Sequence, residues 1–338
     1  MPATILIADD HESSLVGLEG LLSLEGYRVK TAPDGQTALD EFHRLQPDMV
    51  LLDVQMPGMS GFEVCRHIKS CPESQLVPVV LITALSATKD RVEGIKAGAD
   101  DFLTKPVDRE QLTARVRVLL KQKAYTDELE RAEAVLFALA RSIEAKDKYT
   151  EGHCERLASY SAQLATRLGL APEDVKALRR AGVVHDIGKV AVPDSVLLKK
   201  GPLNRKEWEV MRQHPLVGER ICAPLKSFHL LLPVIRHHHE KMNGAGYPDG
   251  LKGDRIPLTA RILTIVDVYD ALTTSRPYKD AMTVGKALGI MQQEVAKGWW
   301  DSDLFREFVK LIEGSDRSQI DTANQQARRA SMVAAGHD

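Results

Sequence analysis

Five short apolar runs, separated by longer stretches of helical pattern, limit the folds open to the first 120 residues. The runs read TILIA, YRVKT, DMVLLD, VPVVLIT and DDFLT. Several of them are apolar on both faces, which is typical of strands in a parallel sheet that helices cover on each side. The alternation of strand and helix therefore predicts a doubly wound α/β fold.

Polar residues stand where these runs end. Because ligands collect at the carboxyl ends of parallel strands, we expect five side chains to meet there: Asp9, Asp10, Asp53, Thr83 and Lys105. Three carboxylates at one edge repel each other unless a hard cation such as Mg²⁺ lies among them. Asp53 is then placed to attack a phosphoryl group, with Lys105 balancing charge and Thr83 donating to the new phosphate.

The motifs around these residues resemble the receiver domain of two-component response regulators. They are ADD, LLDVQMPGMSGFEV, LITA and DDFLTKP. The resemblance implies a receiver domain over residues 1–122, in which a cognate sensor histidine kinase phosphorylates Asp53. It also implies that Asp9 and Asp10 bind Mg²⁺ and that Phe102 is the switch aromatic. An output domain is expected downstream.

Residues 123–146 are predicted to form a helical connector. Apolar residues recur there at steps of four and three: Tyr125, Leu129, Ala132, Leu136, Leu139 and Ile143. This spacing indicates an a/d seam of about two and a half heptads. Two interpretations remain open, a coiled coil that forms a homodimer and a single amphipathic helix that lies on the second domain.

Residues 147–313 have the amphipathic pattern and capping residues of a mostly α-helical domain. Seven of the 11 histidines lie between residues 153 and 239, a density that packing does not predict. His185 and Asp186 adjoin in the apolar run AGVVHDIGKV, where their burial is costly unless they pair or bind a metal. We expect Lys189 on the same helix face, as a phosphate-binding cation.

Further candidate ligands are spread through this half of the chain. They are His153, His214, His238, His239 and Asp267. Asp267 interrupts an apolar helix, where a buried charge requires a counterion. Together with His185 and Asp186 they provide five imidazoles and two carboxylates, which exceed the needs of one tetrahedral ion and suit two ions. Two adjacent ions can clamp the attacking and leaving oxygens of a phosphodiester.

This set of residues resembles the HD-GYP family of cyclic di-GMP phosphodiesterases. The matching motifs are HDIGK, RQHP, HHEKMNGAGYPDGLKGDRIP and RILTIVDVYDALTTSRPY. The resemblance implies iron or manganese at two sites, one held by His153, His185, Asp186 and Asp267 and the other by Asp186, His214, His238 and His239. It implies catalysis through Asp186 and Lys189. The substrate contacts it implies are Lys189, Gly246, Tyr247, Pro248, Arg276 and Lys279.

The sequence departs from the family pattern at two places. Tyr149 stands where some members carry a glutamate that holds a third metal, so two metals are expected here. WWDSD, which includes Trp299 and Trp300, replaces the usual HFDP and is expected to alter the rim of the site. We expect His229 and His237 outside the ligand set.

The expected activity is hydrolysis of cyclic di-GMP to the linear dinucleotide pGpG, to GMP or to both, controlled by phosphorylation. Two alternatives remain open. One is a slow module that senses the dinucleotide or docks proteins through its Gly-Tyr-Pro loop, and the other is a hydrolase of a different cyclic dinucleotide. Diguanylate cyclase (GGDEF) proteins are further candidate partners.

Composition excludes several other classes of protein. A net charge of −2 without a long basic block argues against DNA binding. No apolar run reaches the length of a membrane helix, no signal peptide is predicted, and four cysteines without C-x-x-C spacing fit a reducing compartment. We therefore expect a cytoplasmic protein with a disordered tail over residues 314–338.

Overall fold

The computed structural model describes residues 2–84, 88–146, 152–274 and 281–314. The chain divides into two compact units, Met1–Ala132 and Glu133–Asp338. This division falls inside the predicted connector. The predicted tail lies outside the described residues from residue 315 onward.

The first unit is built on a five-stranded parallel sheet with the order β2-β1-β3-β4-β5. The strands are β1 Thr4–Ala8, β2 Arg28–Ala32, β3 Met49–Asp53, β4 Val79–Thr83 and β5 Asp101–Thr104. The helices are α1 Glu12–Leu24, α2 Gly35–Leu45, α3 Gly61–Ser70, α4 Thr88–Lys96 and α5 Arg109–Lys146. The predicted doubly wound fold is confirmed.

Apolar residues fill both faces of the central strands because a separate core lies on each side of the sheet. Leu6 and Val50 belong to one core, whereas Ile7 and Leu51 belong to the other. All four side chains are fully buried. Side chains alternate between the two faces of a strand, so a continuous apolar run is what a sheet covered on both sides requires.

Helix α5 begins earlier than the predicted connector. Within the second unit, Leu136 and Ile143 of this helix pack against the helical core, and Ala140 is buried in it. Tyr125 and Leu129, which belong to the first unit, are 57% and 46% exposed. Residues 133–146 thus have the arrangement expected of the single amphipathic helix, and the coiled coil stays a prediction.

The second unit is largely helical, as predicted. Its α-helices are α6 His153–Arg167, α7 Pro172–Val184, α8 Asp194–Leu197, α9 Arg205–Met211, α10 His214–Cys222, α11 Leu232–His237, α12 Leu258–Thr273 and α13 Val284–Ala296, followed by residues 302–314. The described part of this unit also contains three 3-10 helices, Ile187–Ala191, Lys226–Phe228 and Gly253–Arg255. None of the described helices combines the length and the apolar character needed to cross a bilayer.

The chain changes direction immediately after α7. We expected one helix to carry His185, Asp186 and Lys189, and this expectation is wrong because α7 ends at Val184 and a 3-10 helix begins at Ile187. A Cβ atom at Gly188 would lie 1.9 Å from the carbonyl oxygen of His214. Only glycine allows this turn to lie so close to α10.

Candidate functional site

The carboxyl edge of the sheet places two acidic residues around one lysine. Lys105 Nζ donates to Asp9 Oδ2 at 2.7 Å and to Asp53 Oδ2 at 2.8 Å. Both aspartates are buried. Burial lowers the pKa of Lys105, but the two carboxylates outweigh burial and the net shift is upward. The ammonium group therefore stays charged and neutralises part of the acidic site.

The other predicted receiver residues lie at the same edge. Asp10 is exposed and accepts a hydrogen bond from His11 Nδ1 at 2.7 Å, and Thr83 is buried at the end of β4. Phe102 is half-buried and packs against a core of the sheet. Asp9, Asp10, His11 and Asp53 offer ligand atoms within 4.8 Å of one another. The edge can hold a hard cation next to Asp53.

In the helical unit, the seven predicted metal ligands fall into two groups. Within each group the ligand atoms lie within 4.8 Å of one another. The first group is His153, His185 and Asp267, and the second is Asp186, His214, His238 and His239.

Asp186 faces both groups with different oxygen atoms. Its Oδ2 lies 3.3 Å from His185 Nε2 and its Oδ1 lies 3.1 Å from His214 Nε2. The turn after α7 puts this carboxylate between the groups, whereas the ends of α6, α7, α10 and α11 and the middle of α12 supply the other ligands. One carboxylate can therefore bridge two adjacent ions.

Backbone carbonyls set the protonation of three of these histidines. The Nδ1 atoms of His185, His214 and His238 lie 3.1, 2.8 and 2.8 Å from the carbonyl oxygen three residues earlier in the chain. A carbonyl oxygen can only accept, so each Nδ1 carries the proton and donates it. In the neutral ring, Nε2 then presents a lone pair to the site.

These lone pairs need a common electrophile. His214 Nε2 and His238 Nε2 are 3.3 Å apart. Within the described part of the chain, His185 Nε2 and Asp186 Oδ1 are buried without a hydrogen-bond partner. Two imidazoles bound about 2.1 Å from one tetrahedral ion would hold their nitrogens roughly 3.4 Å apart. The donor set therefore fits metal ions.

Burial favours the neutral, ligand form of His238 and His239, whereas at His185 burial lowers the pKa but the carboxylate of Asp186 outweighs it and the net shift is upward. Burial lowers the pKa of His238, and together with the neighbouring imidazoles it holds the pKa of His239 well below its usual value. Burial raises the pKa of Asp186, but Lys189 and His185 more than reverse this effect and the pKa falls well below normal. Neutral imidazoles beside an ionised carboxylate are what a divalent cation binds.

The predicted substrate residues border the second group. Lys189 Nζ donates to Asp186 Oδ2 at 2.6 Å. The ring of Tyr247 stacks on His239 with centroids 4.8 Å apart, and Pro248 is half-buried beside it. A Cβ atom at Gly246 would lie 2.4 Å from the Cα of Glu240, so glycine is required there. The predicted substrate contacts Arg276 and Lys279, and Tyr149, lie outside the described residues.

The predicted spare histidines are separate from the two groups. His237 Nδ1 points to Asp249, at 3.5 Å from Oδ2, and His229 is exposed. In the segment that departs from the family pattern, the carbonyl of Trp299 accepts from the backbone N–H of Met242. That segment therefore supports the chain just after the histidine run.

Three acidic residues that were not predicted from the sequence stabilise the site. Asp270 is buried, and its Oδ2 accepts from His153 Nδ1 at 2.7 Å while Arg156 Nε donates to its Oδ1. Glu240 is also buried and accepts from three backbone N–H groups of residues 249–251. For Asp270 the sequence does contain one signal, because it is the second acidic residue of VDVYDAL and follows Asp267 by three positions.

The third such residue, Glu144, belongs to α5. Its Oε1 accepts from the backbone N–H of Cys154, in the first turn of α6, where Gly152 provides no side-chain cap. Glu144 also lines an open pocket with about 410 Å³ of empty space that adjoins His153, His185 and Asp186. The end of α5 is thus part of the wall of the site.

Two family profiles match the chain, a response regulator receiver domain over residues 5–117 and an HD domain over residues 138–304. The chain is similar to the cyclic di-GMP phosphodiesterase response regulator RpfG of Xanthomonas campestris pv. campestris, at 36% identity over 310 residues, 85% of this chain and 82% of that protein. A cyclic di-GMP phosphodiesterase of Thermotoga maritima is 32% identical and covers 91% of this chain and 90% of its own length. A 3'3'-cGAMP-specific phosphodiesterase 3 of Vibrio cholerae is 41% identical over 163 residues, 48% of this chain and 35% of that protein.

The two longer matches extend over most of this chain and most of each relative. Together with the two profiles, they confirm the resemblance to response regulators and to HD domains that the motifs indicated. The chain therefore belongs to the family of cyclic di-GMP phosphodiesterase response regulators, in which a receiver domain precedes an HD domain.

Proposed function

We propose that the helical unit hydrolyses a phosphodiester of cyclic di-GMP at two metal ions and that phosphorylation of the receiver domain controls this activity. The arrangement of Asp186 carries the proposal. Its two oxygens face two separate groups of imidazoles, and in three of these rings a backbone carbonyl holds the proton on Nδ1, so that Nε2 of the neutral ring offers a lone pair to the site. A purely structural histidine cluster has no use for lone pairs that face each other.

Each group of side chains holds one ion in this proposal. His153, His185 and Asp267 hold the first, His214, His238 and His239 hold the second, and Asp186 bridges them. The resemblance to the HD-GYP family implies iron or manganese, and imidazole ligands suit iron whereas carboxylate ligands suit manganese. When bound, the ions supply positive charge to the phosphate and lower the pKa of a water molecule.

The remaining residues bind and orient the substrate. Lys189 is half-buried beside Asp186 and offers its ammonium group to a phosphate oxygen. Burial and the nearby carboxylates of Asp186 and Asp267 raise the pKa of Tyr247, so its hydroxyl keeps its proton and donates. Gly246 and Pro248 shape the wall next to it, and we assign Arg276 and Lys279 to the phosphates.

In the receiver domain, we assign phosphorylation to Asp53, with Asp9 and Asp10 holding Mg²⁺. Lys105 already bridges Asp9 and Asp53, so the developing charge of the acyl phosphate meets a fixed cation. Thr83 then donates to the new phosphate, and Phe102 acts as the switch aromatic. A sensor histidine kinase supplies the phosphoryl group, and GGDEF proteins are candidate partners because they make the substrate.

A second candidate substrate is 3'3'-cGAMP. The observation that favours it is the 41% identity to a phosphodiesterase specific for that dinucleotide. Competition between equal concentrations of cyclic di-GMP and 3'3'-cGAMP decides between them, because the ratio of the two initial rates is the ratio of their kcat/KM values.

The central experiment is anaerobic purification of the full chain, metal analysis and product analysis on cyclic di-GMP. We expect two transition-metal ions per chain and formation of pGpG, GMP or both. Replacing His185 and Asp186 by Ala should remove metal and lower the rate by more than about 100-fold, since even residues that only orient ligands are worth 10- to 100-fold. His229→Ala, at an exposed histidine, is the matched control. Turnover by the metal-free double variant would refute the assignment.

Control by phosphorylation is tested on the same material. A small phosphodonor should label the unmodified chain and change its rate of hydrolysis. Asp53→Asn should abolish the labelling, whereas Asp40→Asn, at an exposed position in α2, should leave it intact. Labelling of the Asp53 variant at the normal rate would place the phosphorylated residue elsewhere.

A further inference from the structure

Arg212 lies next to the second group of ligands. It is exposed and precedes the ligand His214 by two residues. No carboxylate of the described residues lies within ion-pair distance of its guanidinium. Instead, Cζ lies 5.5 Å from the ring centre of Tyr247 and 5.8 Å from that of Trp208.

These contacts order the guanidinium without occupying its hydrogen-bond donors. A cation–π contact is made through the face of the aromatic ring and leaves the N–H donors of the guanidinium for a partner with two acceptors. An exposed arginine is otherwise free to turn into water or toward an acid. The arrangement is therefore that of a binding residue awaiting a planar, bidentate acceptor.

The position of Arg212 indicates which part of a cyclic dinucleotide it meets. Tyr247 stacks on the ligand His239, and Arg212 contacts Tyr247 in turn. The guanidinium is therefore separated from the ligand His239 by one aromatic side chain, at a place that a base can reach if the phosphate of the same nucleotide lies at the ions. Trp208 is 44% exposed and offers an aromatic surface at the same place.

We infer that Arg212 and Trp208 form the guanine-recognition site of this enzyme. Arg212 donates two hydrogen bonds to guanine O6 and N7, the acceptor pair that arginine reads in nucleic acids, and Trp208 stacks on the base. Adenine presents a donor in place of O6 and is discriminated against. This inference rests on the proposed function, since it names the base-reading residues of the same site.

The first test uses 5'-GMP and 5'-AMP, which share a phosphate and differ in the base. Equilibrium binding to the metal-loaded full chain is measured by calorimetry, so the result does not depend on turnover. Arg212→Lys keeps the charge but loses the fork, and it should weaken binding of 5'-GMP about five- to 150-fold. Binding of 5'-AMP should change less than about threefold.

Arg220→Ala is the matched control, because Arg220 is an exposed arginine of α10 for which the described residues provide no ion pair. Metal content should equal that of the unmodified chain in both variants. On cyclic di-GMP, Arg212→Lys should raise KM and leave kcat nearly unchanged, because the lost contact is equally strong in the ground state and the transition state.

Trp208→Ala separates stacking from base reading. Stacking does not distinguish the bases, so this variant should weaken the binding of 5'-GMP and of 5'-AMP by similar factors, about five- to 150-fold. The quenching of tryptophan fluorescence by 5'-GMP should also disappear in Trp208→Phe. Quenching that persists would remove Trp208 from the site.

The inference would be overturned if Arg212→Lys lowered the affinities for 5'-GMP and 5'-AMP equally, because Arg212 would then contact a phosphate. It would also be overturned if neither affinity changed. An unmodified chain without preference for 5'-GMP would overturn it as well. If the chain prefers 5'-GMP through Arg212 but does not cleave cyclic di-GMP, the proposed hydrolysis fails and the guanine site stands.

Discussion

At the scale of single residues, His153 differs from the other histidines that we propose as ligands. His185, His214 and His238 donate Nδ1–H to backbone carbonyls, whereas His153 donates to the carboxylate of Asp270 at 2.7 Å. A carboxylate partner fixes the ring and makes its other nitrogen a stronger ligand. Burial raises the pKa of Asp270, but the hydrogen bonds from His153 and Arg156 outweigh burial and the net shift is downward. The carboxylate therefore remains charged.

Asp270→Asn should therefore weaken metal binding without removing a ligand. The amide preserves the shape but loses the charge, and we expect the affinity of the first group for its ion to fall about 10- to 100-fold. Competition with a chelator of known affinity measures this change. Asp303→Asn, whose side chain is 82% exposed, is the control. Equal retention of metal by both variants would show that Asp270 does not tune His153.

At the scale of structural elements, Glu240 connects the histidine run to the Gly-Tyr-Pro loop. Its Oε1 accepts from the backbone N–H groups of Asp249 and Gly250, at 2.7 and 3.0 Å, and its Oε2 accepts from Leu251 at 3.1 Å. A buried carboxylate that accepts three N–H groups keeps the loop folded over the adjacent ligands His238 and His239.

Glu240→Gln should loosen this loop. One amide oxygen can still accept from two of the N–H groups, but the amide nitrogen cannot accept from the third. We expect a loss of about 1–3 kcal/mol in the free energy of unfolding. KM for the substrate should rise because Tyr247 is less fixed. Denaturant unfolding and steady-state rates measure the two effects, with Glu209→Gln, 65% exposed, as control. An unchanged free energy of unfolding would show that Glu240 does not hold the loop in place.

Helix α5 has two parts with different surroundings, and this difference gives a sharper test of the predicted homodimer. Leu136 packs against the helical core, whereas Tyr125 and Leu129 are exposed. Tyr125→Glu with Leu129→Glu should lower the mass in sedimentation without loss of stability, if the seam pairs two copies. Leu136→Glu should instead destabilise the second unit by about 2–5 kcal/mol, because it buries a charge. An unchanged mass in the double variant would reject the seam.

The elements show where prediction from sequence succeeds. The central strands β1, β3 and β4 were predictable because each is a continuous apolar run, and the candidate ligands because their motifs are specific. The turn at Asp186 was not predictable, since the close approach of Gly188 to His214 depends on a distant segment. Asp270, Glu240 and Arg212 carry no periodic signal, because their roles arise from contacts made only in the folded chain.

At the scale of the whole molecule, the two units should respond to different ligands. We expect calorimetry to show that removal of transition metal by a chelator lowers the unfolding temperature of the helical unit alone, because the ions bind only its folded state. Mg²⁺ with a phosphate mimic should raise the unfolding temperature of the receiver unit alone. The Asp53→Asn and the His185→Ala, Asp186→Ala variants assign the transitions. A single transition that shifts equally with both ligands would show that the two units do not unfold independently.

The wide spacing of the metal ligands along the chain has a consequence for biosynthesis. They extend from His153 to Asp267, so a ribosome has produced most of the protein before the last of them exists. A nascent chain therefore offers an ion only partial sets, such as the adjacent pair His238 and His239. The complete donor set therefore exists only after Asp267 has been added to the chain.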